Sequence, residues 1–317
     1  MGVAVEAPRE HVLMSPRPLP ESLADQAFST ARALDLGVGR GRLRGPDLAR
    51  PFHGVRVHGA RAPTAVRERA VALAPRLRDN WCFSHLTAVA LWGLPLPPSA
   101  RSERTPLHVG ALGGRGPRRQ GVVGHDLAAD VTRFRVDDLP VVDPVVAWCQ
   151  CSQLLTLDAL VAIGDALLGS WSAHPLARAR PAGELASAVD ARAGTRGAGR
   201  LREARELSRP KVESPKETEL RLLLHRAGVP EPEINVRRRD DAGRYLGKLD
   251  LSWPAHRVSA EYEGDEHRSD PRRWRNDIAR AERFADAGWR MVRVTQHDLH
   301  GPAAARLVTR FQHLLAP

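Results

Sequence analysis

Two short alternating runs separated by four residues, KLDLSW (248–253) and VSAEYEG (258–264), constrain this chain more than any other feature. Alternation of period two marks strands with one apolar and one polar face. In the first run Leu249, Leu251 and Trp253 share a face, leaving Lys248, Asp250 and Ser252 on the other. In the second, Val258, Ala260 and Tyr262 lie opposite Ser259, Glu261 and Glu263. If the runs form a hairpin, both apolar faces must lie on one side, because a one-residue slip turns every side chain over. Paired residue numbers must then sum to an odd value. The four-residue connection 254–257 gives 511, whereas a three-residue loop gives 510 and mismatches the faces. The allowed register sets Asp250 opposite Glu261 and Lys248 opposite Glu263, with Cβ atoms roughly 5 Å apart.

Two carboxylates facing one another across a ladder repel, and a hard divalent cation is the natural offset. Mg²⁺ takes one or two carboxylates together with water and phosphate oxygens, and Mn²⁺ suits the same donors. Such an ion activates water and stabilises charge on a phosphodiester under attack. Register also divides the acidic stretch SAEYEGDEH: Asp265 and Glu266 fall beyond Gly264, in a hydrated turn. His267 follows directly and is a candidate for proton transfer or phosphate contact.

The surrounding residues spell a compact α/β unit over 211–317. Ser214-Pro215-Lys216-Glu217 reads as a capping box opening a helix that stops at Gly228. Strands are expected at 233–239, 244–253 and 257–263, the first two joined by the turn DDAG. Asp270-Pro271 begins a helix ending at Gly288, WRMVRV (289–294) is a buried-type strand, and a last helix closes the chain. Glu217 sits at the third helical position, where a glutamate caps without chemistry or, equally, supports an acidic site.

These stretches, SPKETELR, GKLDLSWP, AEYEGDEHR and RRWRNDIARAERFADAGWRMVRVT, resemble the PD-(D/E)-x-K nuclease superfamily. More narrowly they resemble the small domains similar to the very-short-patch-repair endonuclease, over roughly residues 210–300. The resemblance implies a restriction-endonuclease-like fold, a central mixed sheet flanked by helices. It further implies that Asp250 and Glu261 bind Mg²⁺ or Mn²⁺, that Glu217 supports them, and that His267 lies near the reacting phosphate. Asp277 and Arg280 would belong to the helix motif after the site and Arg293 to the last strand. The superfamily's lysine falls at position 263, which is Glu here, and Lys248 is the nearest replacement.

The first two thirds are basic: residues 1–210 carry 28 Arg against 20 Asp and Glu, most of the chain's net charge of +11. Such an excess favours nucleic acid as partner. Arg272, Arg273 and Arg280 on the 271–287 helix, Arg293, and Arg118 and Arg119 in the loop GGRGPRRQ are the candidate backbone contacts. A helix is expected over 22–34, another over 64–77, and a third opens at Ser84. SHLTAVALWGLPLP, within residues 20–110, resembles the winged-helix-containing part of AbiEi-type antitoxins, which implies a module that binds DNA or a protein partner. The expected division is a disordered or non-native start (1–20), a mostly helical α/β domain with a winged-helix-like part (21–170), a linker and helical connector (171–210), and the nuclease-like domain (211–317).

No apolar run reaches the ~20 residues of a membrane span, and the start of the chain lacks an export signal. Three scattered cysteines point to a reducing, cytoplasmic setting. Apart from His267, the 13 histidines show no ligand spacing. The composite expectation is an α+β, Mg²⁺-dependent endonuclease acting on DNA. A non-catalytic DNA-binding regulator of antitoxin type and an RNA-directed nuclease stand as alternatives.

Overall fold

The computed structural model describes residues 17–316 apart from 25, 60 and 265–270. Helix α1 (Glu21–Ala24), strand β1 (Phe28–Ser29) and helix α2 (Thr30–Asp35) occupy the stretch expected to be one helix. The break has a local cause. Phe28 and Ser29 pair with Arg56 and Val55, and the Ser29 hydroxyl caps α2 by accepting the Arg32 N–H at 3.2 Å. A 3₁₀ turn at Arg42–Arg44 leads to β2 (Leu48–Ala49) and β3 (Val55–His58), which close a three-stranded antiparallel sheet ordered β1-β3-β2. Leu23, Phe28, Ala33, Val38, Leu43 and Leu48 form its own small core.

After α3 (Val66–Leu73), strand β4 (Trp81–Phe83), helix α4 (His85–Leu91), and strands β5 (Leu107–Leu112), β6 (Val122–Leu127), β7 (Arg133–Val136) and β8 (Leu139–Val142) build a five-stranded mixed sheet. Its order is β6-β5-β4-β8-β7. Helices α5 (Pro144–Gln150), α6 (Leu157–Leu168), α7 (Ala182–Asp190) and α8 (Ala198–Leu207) complete this unit. Two fully buried indoles anchor it, Trp92 donating to the Val142 carbonyl at 2.8 Å and Trp148 to the Leu160 carbonyl at 2.9 Å.

The region, expected to be a mostly helical α/β domain, is mixed, with eight strands among its described residues. β4 and β8 went unread because WCF and LPVV are short and almost wholly buried, so no alternation marks them. Residues 171–210, expected as linker and connector, contribute Ala177, Leu185, Val189, Leu201 and Ala204 to the same core.

The last unit follows its expected order: α9 (Pro215–Arg226), β9 (Glu233–Arg239), β10 (Tyr245–Trp253), β11 (Val258–Tyr262), α10 (Pro271–Asp286), β12 (Arg290–Val294) and α11 (Gly301–Leu314). The sheet order is β12-β11-β10-β9, with β11 and β12 parallel and the other pairs antiparallel. Leu251, Trp253, Val258, Ala260, Val292 and Val294 form one core with Leu220 and Leu224 of α9 and Leu307 and Phe311 of α11. Phe284 of α10 packs with Leu246 and Leu249. Leu249 was expected beside Leu251 and Trp253. It keeps their register against β9, opposite Val236 as Leu251 is opposite Ile234, and the register shift lies before it, between Tyr245 and Gly247, where Gly247 has φ of +152°.

Helix α9 belongs to both large cores, Leu222 to the first and Leu220 and Leu224 to the second. At the junction the fully buried Asp165 of α6 meets Arg221 at 3.2 Å, and it also accepts from the Thr218 hydroxyl at 2.7 Å and the Arg209 N–H at 2.6 Å. Burial pushes the Asp165 carboxyl above its usual range, with Arg221 the largest opposing influence. Removing one member of such a pair strands the other's charge, at about 3–5 kcal/mol. Asp165→Ala should lower the thermal midpoint by several degrees, and Asp165→Asn, which keeps the acceptor for Thr218, by clearly less. Differential scanning calorimetry of the two variants checks this.

Candidate active site

The β10–β11 connection is a 3₁₀ turn at Pro254–His256 followed by Arg257 in the left-handed region at φ +51°. It delivers the register required by the sequence: Leu251 faces Ala260, Ser252 faces Ser259 and Trp253 faces Val258. One step further, Asp250 and Glu261 are laced together. The Asp250 N–H donates to Glu261 Oε1 at 3.2 Å, and the Tyr262 N–H donates to Asp250 Oδ2 at 3.0 Å. Glu261 is 5% exposed, and Asp250 is half-buried.

The third carboxylate comes from α9. Ser214 Oγ accepts the Glu217 N–H at 3.2 Å, half of the expected capping box. The return bond is displaced by one residue, since Glu217 Oε2 accepts from the Glu213 N–H at 3.0 Å. The same oxygen accepts from Asn235 Nδ2 at 2.6 Å. Glu217 is thus both a helix-end group and a buried acid, 7% exposed, that feels the charge of Asp250.

Electrostatics set these three apart from ordinary surface acids. Burial, and then the Asp250 charge, push Glu217 up to about 7. The same two causes in the same order push Glu261 up to about 7 against the pull of Arg280. Burial also raises Asp250, opposed by the Tyr262 N–H, Arg280 and Lys248. Arg280 is the cation bound into the cluster, donating to Glu261 Oε2 at 2.7 Å and to the Lys248 carbonyl at 2.6 Å. It was expected to grip a phosphate backbone, and its position over β10 places it inside the site instead.

Lys248 and Glu263 do not meet. Lys248 Nζ pairs with Glu213 at 2.5 Å, and Glu263 pairs with Arg293 at 3.0 Å while its N–H donates to the Val294 carbonyl at 2.8 Å. The paired residues of β10 and β11 stop short of Glu263, which follows β12 instead. Arg293 is thereby a partner of Glu263. Arg118 is exposed in the loop before β6, while Arg119 lies over the Trp81 ring at 5.6 Å. His267, and the side chains of Arg272 and Arg273 on α10, lie outside the described residues. Two members of the site were not foreseen, Glu213 and Asn235. A lone Asn at φ +50° within a strand is an unusual backbone choice, but nothing in its sequence neighbourhood announces it.

The chain is 31% identical over 127 residues to two Mycobacterium tuberculosis proteins described as uncharacterized, one from strain CDC 1551 / Oshkosh and one from strain ATCC 25618 / H37Rv. The match covers 39% of this chain and 46% of each relative, so the chain spans about half the length of the curated relatives it matches. No family model and no solved structure matches.

The raised acid at Glu217 makes a pH prediction. Its proton is held more tightly in the folded than in the unfolded chain, so its contribution to stability is full below about 4.5 and is lost as pH rises through about 7. Across that window the loss is on the order of 3 kcal/mol. Glu217→Gln keeps an acceptor for Asn235 and removes the ionisation. Thermal melts in EDTA should show the variant losing less stability than wild type between pH 4.5 and 8, and identical profiles would contradict the assignment.

Proposed function

We propose that this chain is a metal-dependent endonuclease of the PD-(D/E)-x-K type whose last unit carries the chemistry. The supporting observation is a charge deficit: Glu261 bonds the Arg280 guanidinium, whose charge also acts on Asp250, Glu217 feels the Asp250 charge, and Lys248 is engaged by Glu213. Carboxylates held above their ordinary range are groups that a cation would return to the ionised form.

The donor set fits a hard ion. All three acids offer oxygen, and among the described residues Asp250 Oδ1 accepts no hydrogen bond. Asp250 and Glu261 would hold the ion, Mg²⁺ or Mn²⁺. When bound, it supplies Lewis acidity toward a phosphodiester oxygen and lowers the pKa of water. Arg280 keeps Glu261 oriented, and Asn235 with the Glu213 N–H orients Glu217. Lys248 or His267 would take part in proton transfer to or from the attacking water. DNA is the substrate this reading favours, with Arg272, Arg273 and the exposed Arg118 on its phosphates.

The helix–strand–helix–turn–strand–strand order of residues 21–58, with its β1-β3-β2 sheet, supports a winged-helix-like reader at the front of the chain. Arg40 and Arg44 stand exposed on and beside its 3₁₀ turn. A second reading, a DNA-binding regulator of antitoxin type on a nuclease scaffold, is favoured by one observation. The position of the superfamily's lysine is Glu263, and it is closed off by Arg293.

Plasmid cleavage in Mg²⁺ or Mn²⁺ separates the two. The nuclease reading expects nicking by wild type and a loss of about 100-fold or more in Asp250→Asn and Glu261→Gln, the scale of removing one preorganised stabilising group. Equal nicking by Asp250→Asn and wild type would overturn it. Salt-dependent DNA binding in EDTA with no turnover in any metal would support the regulator.

A further inference from the structure

We infer that His85, His108 and His125 form a second metal site, for a transition ion of the Zn²⁺ class, in the first unit and independent of the acidic site. The three residues come from different elements: the first turn of α4, the start of β5 and the middle of β6. They are far apart in the chain, yet one ligand nitrogen from each lies within 4.8 Å of the others. His108 Nδ1 and His125 Nε2 are 2.9 Å apart, and the His85 and His125 rings stack with centroids 3.6 Å apart.

The backbone around the trio is arranged to produce this convergence. His85 stands in the left-handed region at φ +49°, which a side chain of its size rarely adopts. Its N–H is held there by the buried Gln150 Oε1 at 3.0 Å, and its ring Nδ1 lies 3.0 Å from Ser84 Oγ. With the Nδ1 proton given to Ser84, the His85 lone pair is left on Nε2, as an outer partner commonly arranges for a metal-bound imidazole. His108, 5% exposed, is fixed by its N–H donating to Thr87 Oγ1 at 2.8 Å. His125 stands opposite Gly110 on the neighbouring parallel strand.

Ligand chemistry selects the ion. Three neutral imidazoles are poor ligands for Mg²⁺ and good ones for Zn²⁺, Co²⁺ or Cu²⁺. Zn–N bonds of about 2.0–2.1 Å place tetrahedral ligand nitrogens about 3.3 Å apart. The His108–His125 contact must open slightly and His85 must turn its edge inward. His85 and His125 are half-buried. Three nitrogen ligands leave one tetrahedral position for water or substrate, as in catalytic rather than closed structural zinc sites.

The test is Co²⁺ titration of the full chain after EDTA treatment, followed by visible d–d absorption and by displacement with Zn²⁺. About one equivalent with tetrahedral bands is expected. His125→Gln, and His85→Asn, whose side chain tolerates the left-handed backbone, should each weaken binding by about 10-fold or more. Asp250→Asn should bind as wild type does, which keeps this outcome separate from that of the nuclease assay. Circular dichroism confirms that the variants fold. Absence of the bands in wild type, or bands unchanged in both histidine variants, would overturn the site.

Discussion

The buried pair of Asp165 and Arg221 is the contact on which the placement of everything else turns. It pins the middle of α9 to α6, and neighbouring residues of the same helix then serve two cores at once, Leu222 on one side and Leu220 and Leu224 on the other. The first turn of that helix carries Glu217 into the acidic site. One carboxylate of the candidate centre is thus positioned by a charge pair in the neighbouring unit. The two units share a helix and cannot be treated as beads on a string.

The two clusters are opposites in chemistry. The acidic one is short of positive charge and offers oxygen, with Arg280 as its bound cation. The imidazole trio offers nitrogen. A hard ion suits the first and a borderline ion the second, so neither is expected to compete for the other's ligand. Both are assembled across parallel or antiparallel strand neighbours, where register, not sequence spacing, decides which side chains meet.

Legibility in the sequence followed the same divide. The β10–β11 register could be read in advance because parity leaves a single choice once both apolar faces must point inward, and Leu251↔Ala260 shows that choice. The order of elements from α9 to α11 was likewise readable from caps, glycine stops and alternation. What escaped depends on contacts between distant residues. Lys248 turned to Glu213, and Glu263 to Arg293, because the strands part beyond Asp250 and Glu261. β4 and β8 have too few residues for a period to show, and the helix expected over 22–34 was broken by pairing with β3. The histidine trio joins residues with no spacing rule at all, which only the order β6-β5-β4 could bring together.

Gly247 is silent in the sequence, a small residue in the middle of a strand. A methyl group placed there would come within 3.0 Å of the Phe284 ring and 3.2 Å of the Arg280 chain. Both side chains lie over that spot because nothing occupies it, and from there Arg280 reaches Glu261. The clearance is a single carbon wide. It makes the tilt of an entire helix, and with it the charge balance of the centre, hostage to the one residue type that has no side chain.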